Sequence, residues 1–418
     1  MKKFLPPLLA AALGLTLLSG PPAGARPAHG PGWQAAWGAA PQAPATGFTP
    51  NWSQEGFSRQ TVRQVVRVTE DGDHLRIRLS HAYGTSPLVV TGATLARTDT
   101  GPGRAAAVVP GSVRHLTFGG RRSVTVPARG ELRSDPATLP VRRLESVTVT
   151  LHFAGTTGPA TFHSQAWADS YRAEGDHRAD VSGRAFTART SSWYYLSGVE
   201  VSGGTPPRSG AVVLFGDSLT DGFGSTPHAD RRYSDALAER LDRPVVNSGI
   251  GGNLVLNDSA WYGERATARF RRDALDQPGV STVVLLQGVN DIGFSEAALK
   301  ADPAPTYKPS PVVTSAELIA GYRTLIDAAH DRGVRIVGAT LPPFKGSSHW
   351  GPTAERTAAE VDHWIRTSGE FDAVVDFARL LADPADPRAL HPAYAYEDRL
   401  HPNDAGYRLM AEAVAPLV

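Results

Sequence analysis

Ala211-Val212-Val213-Leu214-Phe215-Gly216-Asp217-Ser218-Leu219 is the stretch on which the fold turns. A short unbroken apolar run suits a strand buried on both faces, as in a parallel sheet, and here it runs straight into a glycine and two small polar residues, the punctuation of a strand-to-helix turn. Toward the C-terminus the texture recurs at Pro244 to Val246, Thr282 to Leu286, Val334 to Ala339 and Phe371 to Phe377. The helix between the last two of the inner runs is well marked. Thr314 with Glu317 makes a capping box, Leu318, Ile319, Tyr322, Leu325, Ile326 and Ala329 form an apolar stripe, and Gly333 is a stop. A final helix after Asn403 is expected to bury Tyr407, Met410, Val414 and Leu417. Parallel strands require crossovers and the crossovers are helices, so residues 211–418 are predicted as a doubly wound α/β/α sandwich.

Upstream the periodicity changes to two. Leu75, Ile77 and Leu79 alternate with Arg76 and Arg78, and Val147, Val149, Leu151 and Phe153 alternate with Thr148, Thr150 and His152. Asp71-Gly72-Asp73 and Gly119-Gly120 supply turns, and no helical pattern precedes about residue 200. Residues 32–200 are therefore expected to form an all-β sandwich or jelly roll. Residues 201–210, around Ser202-Gly203-Gly204-Thr205-Pro206-Pro207, form the expected linker.

The chain has 418 residues, with 42 basic and 41 acidic side chains, a net charge of +1. That balance leaves no surplus field for a phosphate backbone or an anionic membrane, and no nucleic-acid partner is expected. Lys2 and Lys3, the apolar stretch Leu5 to Leu18 and Ala23-Gly24-Ala25 read as a signal peptide over residues 1–25. A membrane anchor is the competing reading, but the run is short, broken by Pro6, Pro7 and Gly14, and lacks a basic stop-transfer cluster. The expectation is a secreted, extracellular monomer with no stable membrane anchor. There is no cysteine, which removes disulfides, thiol chemistry and Cys-ligated metals.

In a doubly wound sheet, ligands bind at the carboxyl ends of the strands. The first strand ends at Gly216-Asp217-Ser218, which sets a hydroxyl at the turn; read alone, this is equally a turn with Ser218 as helix cap. The second ends Asn247-Ser248-Gly249-Ile250-Gly251-Gly252-Asn253, either a tight turn or a place where a bare backbone N–H can approach an oxyanion. The third ends Gln287-Gly288-Val289-Asn290-Asp291, where Asn290 offers a side-chain N–H pair or a helix cap. Near the C-terminus stands Asp398-Arg399-Leu400-His401-Pro402, a base three residues after a carboxylate. His391-Pro392 imitates it, but Arg388 stands where the acid should be.

These blocks, in this order over residues 211–418, resemble the SGNH (GDSL-type) hydrolase superfamily, whose sheet is flavodoxin-like. The resemblance implies Ser218 as nucleophile, His401 as general base and Asp398 as its orienter. It implies an oxyanion hole made of the backbone N–H groups of Ser218 and Gly252 and the side chain of Asn290. Asp217, Asn253 and Phe344 are added as substrate-contacting candidates. The reaction implied is ester cleavage through an acyl-enzyme, with no cofactor and no metal; His349, His363 and His391 are read as surface or packing residues.

The N-terminal β region together with Gly288 to Gly293 and Leu400 to Tyr407 also resembles secreted bacterial arylesterases and acylhydrolases, some associated with xylan. Acyl groups on carbohydrate, or small aryl and alkyl esters, are the first expectation for substrate. A GDSL lipase or phospholipase acting on lipid esters is the second. An inactive extracellular carbohydrate-binding protein is the reading of another class. Trp261, Phe294, Leu341 and Phe344 line an acyl groove or belong to the core, core being the commoner fate. The β region binds carbohydrate through Trp52, Trp167, Trp193 or Tyr194, shapes the cleft, or stabilises the fold; structural and cleft-shaping roles are favoured.

Overall fold

The computed structural model describes Met1 and residues 32–204, 209–300, 305–307 and 311–418. Residues 2–25 of the expected leader and residues 205–208 of the expected linker lie outside the described residues.

The N-terminal half is all β. One antiparallel sheet runs in the order Ala188–Thr190, Ser170–Glu174, Ser58–Arg67, Ser146–Thr156, Gly92–Arg97, Arg114–His115. A second contains Gln34–Gly38, Leu196–Ser202, Gly72–Ser80 and Glu131–Arg133, with Ala137–Val141 also paired to Gly72–Ser80. The alternating residues read from the sequence meet in one core. Leu75, Ile77 and Leu79 of one sheet and Val147, Val149, Leu151 and Phe153 of the other are all fully buried in it. Burying such a side chain is worth roughly 1.5–3 kcal/mol. The opposite face of Ser146–Thr156 is covered as well. Buried Arg63 reaches across it to the Thr150 hydroxyl and to the carbonyls of Ala106 and Asp180, with Phe186 against its guanidinium. Of the aromatic residues considered for carbohydrate, Trp52, Trp193 and Tyr194 are buried in the core, whereas Trp167 is half-buried and faces the C-terminal half.

The C-terminal half holds a parallel sheet in the order Val245–Gly249, Ala211–Gly216, Val280–Leu286, Arg335–Ala339, Ala373–Val375. The chain thus steps one way after the first strand and the other way afterwards. Right-handed crossovers then send the helices to opposite faces. On one face Tyr233–Arg240 packs with Asp404–Val414; on the other Pro352–Thr367 packs with Val289–Leu299 and Ser315–His330. Ser315–His330 starts at the expected Thr314–Glu317 box and buries Leu318, Tyr322, Leu325, Ile326 and Ala329, while Ile319 is half-buried at the edge of the stripe. The last helix buries Tyr407, Met410 and Val414, but Leu417 falls in a closing 3₁₀ turn and is only half-buried.

The two halves are docked along the edge strand Val245–Gly249. Ala35 of the first β-strand is buried in the C-terminal core and its N–H donates to the carbonyl of Pro278 at 3.1 Å. The Thr69 hydroxyl donates to the carbonyl of Val245 at 2.9 Å, and Arg78 to the Gln277 side chain at 2.9 Å. This docking carries residues 163–167 of the β region, the end of strand Phe162–His163 and the loop after it, to the carboxyl end of the parallel sheet. Among the described residues no helix is long and apolar enough to cross a membrane.

Candidate active site

Asp217 ends the first parallel strand and caps the one-turn helix Ser218–Asp221, its Oδ1 accepting from the Leu219 N–H at 3.0 Å. Ser218 is thereby the first helical residue, with its side chain at the mouth of the sheet. Ser218 Oγ lies 2.7 Å from His401 Nε2. His401 Nδ1 lies 2.6 Å from Asp398 Oδ2, and Asp398 Oδ1 accepts from the N–H groups of Leu400 and His401, each at 3.0 Å. Since a carboxylate accepts, Nδ1 is the protonated nitrogen and the bare Nε2 faces the serine hydroxyl. The tight loop is closed by Arg399 in the left-handed region, at φ 58°. Burial pushes the Asp398 carboxyl up, but the hydrogen bond and charge of His401 and the two backbone N–H groups outweigh it, holding the carboxyl below its ordinary range.

The imidazole packs on Phe223 at 4.5 Å between ring centroids, and Trp167 of the β region meets Phe223 edge-on at 5.9 Å.

The amide donors come from neighbouring strand ends. Gly252 has φ +74°, and a Cβ there would stand 2.3 Å from the Tyr262 ring, so only glycine fits. Among the described residues the N–H groups of Ser218 and Gly252 are not taken up by another hydrogen bond. Asn290 is buried at the start of Val289–Leu299; its Nδ2 donates to the carbonyl of Asn253 at 3.2 Å and its Oδ1 lies 3.1 Å from His349 Nε2.

Three side chains expected to touch substrate have other work. Asp217 is fully buried as the helix cap just described, its Oδ1 turned to the Leu219 N–H. Asn253 is fully buried too. Its Oδ1 accepts from Arg269 Nε at 2.9 Å and Gln287 Nε2 at 3.2 Å, and its Nδ2 donates to the carbonyls of Tyr262 and Glu264, so its side chain is saturated and only its backbone carbonyl reaches Asn290. Phe344 is packed in the C-terminal core and borders a cavity of about 180 Å³ with Leu341, Pro343 and Trp350, which does not include Ser218 or His401.

Sequence reading missed other residues that bear on the site. Arg269 is fully buried and ties the ends of the first two strands together, donating to the carbonyls of Gly216 at 2.7 Å and Ser248 at 2.9 Å, with Asp273 as its counter-ion. An arginine in a helical stretch, between Ala268 and Phe270, gives no such signal. Asp221, three residues after Ser218, accepts the Gly251 N–H at 3.1 Å through Oδ2 and meets His163 of the β region at 3.2 Å through Oδ1. Gly251 itself has no room for a side chain, since a Cβ would fall 2.2 Å from Gln165 Oε1. His349 is indeed packed, but against Asn290.

Residues 214–409 match the GDSL-like lipase/acylhydrolase family. The matched segment is a GDSL-like lipase/acylhydrolase domain. The chain is accordingly a carboxylic ester hydrolase, its GDSL domain preceded by the all-β region. Solved structures similar to the GDSL domain include a lipolytic protein of the G-D-S-L family from Desulfitobacterium hafniense, with 19% identity over 50% of this chain and 100% of that one and a TM-score of 0.38. An acetyl xylan esterase from Geobacillus stearothermophilus is 23% identical over 50% and 93% of the two chains, with a TM-score of 0.36. A carbohydrate acetylesterase family member from Sinorhizobium meliloti is 16% identical over 50% and 96%, with a TM-score of 0.39. No curated protein is similar enough to count as a relative.

Proposed function

We propose that the chain is an exported serine esterase that removes short acyl groups from carbohydrate or from small aryl and alkyl alcohols, through an acyl-enzyme on Ser218. The observation that carries this is the hydrogen-bonded line from Ser218 Oγ through His401 to Asp398, at 2.7 and 2.6 Å. His401 Nε2 takes the hydroxyl proton as Oγ adds to the ester carbonyl, and Asp398 stabilises the imidazolium that results. The developing oxyanion is met by the N–H groups of Ser218 and Gly252 and by Asn290 Nδ2. His401 returns its proton to the leaving alcohol, and water then repeats the sequence on the acyl-enzyme.

A short acyl group is supported by the rings that back the donors. Phe294 stacks on Tyr307 at 4.1 Å between ring centroids and meets Tyr262 and His349, both tilted, at 5.6 Å each, a packed wall rather than an open apolar groove. Export rests on the basic and apolar pattern of residues 1–25.

The test is a p-nitrophenyl ester series from acetate to palmitate, run beside acetylated xylan, on the protein and on Ser218→Ala. Activity should be greatest at the short end and should vanish in the variant. Equal rates for the two proteins would remove the esterase reading of this site, and a maximum at palmitate would move it to lipid esters.

A further inference from the structure

We propose that His349 is a positioning residue that holds the Asn290 amide with one N–H aimed at the reacting carbonyl; this rests on the reading of Asn290 as an oxyanion donor. The assignment of atoms follows from what each neighbour is able to do. A backbone carbonyl only accepts, so the Asn290 atom 3.2 Å from the Asn253 oxygen is the amide nitrogen. The other atom, 3.1 Å from His349 Nε2, is then Oδ1, which also only accepts, so Nε2 must carry the proton. His349 Nδ1, left bare, is 3.2 Å from the Ser348 hydroxyl, which donates to it. Every group in the line from Ser348 to Asn253 is thus given a single role, and one Asn290 N–H remains unspent.

A neutral donor suits this place. His401 becomes positively charged during the reaction, and a second cation beside it would oppose that step. Burial, with the charge of His401 acting in the same direction, pushes the His349 imidazole down to about 4, so it donates as a neutral ring at neutral pH. The ring is held by its neighbours as well, 5.6 Å from Phe294 and 6.0 Å from Tyr307 between centroids. Without it, the buried Asn290 oxygen loses its donor and a single 3.2 Å bond to Asn253 is left to orient the amide.

An interaction that matters only once the oxyanion forms should appear in kcat, not KM. The experiment is a double-mutant cycle on p-nitrophenyl acetate with His349→Ala, Asn290→Ala and the pair, with His349→Gln as the conservative variant that still presents an N–H. Losing an oxyanion donor typically costs about 10²–10³ in kcat, which sets the expectation for Asn290→Ala. His349→Ala should lower kcat by about tenfold or more with KM nearly unchanged, should cost almost nothing further in the Asn290→Ala background, and should be largely rescued by glutamine. An equal cost in both backgrounds, or a loss confined to KM, would overturn the proposal. Should His349→Ala fail to fold, His349→Gln against His349→Leu gives the same comparison. Wild-type kcat in Asn290→Ala would instead overturn the oxyanion reading beneath it, so the two failures are distinguishable.

Discussion

Replacing His163 by alanine tests how the β region holds the loop beside Ser218. Both nitrogens of this ring face only acceptors: Nδ1 lies 3.0 Å from the Ala40 carbonyl, and Nε2 lies 3.2 Å from the Gln165 carbonyl and from Asp221 Oδ1. Both must therefore carry protons, which makes the ring an imidazolium. Burial alone pushes the imidazole down and Arg232 opposes its charge, but the charge and hydrogen bond of Asp221 and the Ala40 carbonyl outweigh them, and the pKa stands above the ordinary 6.5. The pair is nearly dry, with side-chain exposures of 5% and 2%. Removing one member of a buried pair leaves the other uncompensated, at a cost of about 3–5 kcal/mol. At 1.4 kcal/mol per decade that is about two to three and a half powers of ten in the folded-to-unfolded ratio. The sign with pH follows from the raised value: the stabilisation is fully present below pH 6.5 and is lost as pH rises through the folded pKa. Urea unfolding followed by tryptophan fluorescence at pH 5.5, 7 and 8.5 should show the widest gap between the protein and His163→Ala at pH 5.5, narrowing upward. Adding Asp221→Asn to His163→Ala should recover part of the loss. A gap that does not change with pH, or one below about 0.5 kcal/mol, the range of ordinary surface substitutions, would refute the reasoning.

Asp398→Asn leaves the shape of the loop but removes the acceptor that keeps the proton on His401 Nδ1; kcat on p-nitrophenyl acetate should fall by about 10³–10⁴ with the fold intact by circular dichroism. Gly252→Ala places a Cβ 2.3 Å from Tyr262 at a positive φ, and the displaced N–H should lower kcat by about 10²–10³ with a smaller effect on KM in steady-state kinetics. Burial, with the charge of Asp291 adding to it, raises the Asp217 carboxyl to about 7, so ionising it costs stability as pH climbs from 3.8 towards 7. Asp217→Asn keeps the oxygen that caps Leu219 and should match the parent in urea below pH 4 but exceed it at pH 8.

The parallel sheet was legible because its strands are buried on both faces and so written in unbroken apolar runs, as Ala211–Gly216 is. Ser218, His401 and Asp398 were legible for a related reason: each belongs to a short block whose neighbours along the chain set its local geometry. The side-chain directions of Asp217, Asn253 and Phe344 were not legible, because proximity to those blocks in sequence says nothing of which way a side chain turns. Asn253 saturates its hydrogen bonds inside the loop, Asp217 caps the helix through Oδ1, and Phe344 packs into the core. His163 and Asp221 stand 58 residues apart, and Asn290 and His349 stand 59 apart. No local pattern marks such pairs.

What the chain of residues determined by itself was periodicity, capping and turn chemistry, hence an all-β half, a parallel α/β half and the ends of the strands where chemistry belongs. Only the tertiary structure decided which imidazole faces a hydroxyl, which a carboxylate and which an amide oxygen. Periodicity is set by neighbours a few residues away, whereas the protonation and direction of a buried polar group are set by whatever the fold brings within 3 Å of it.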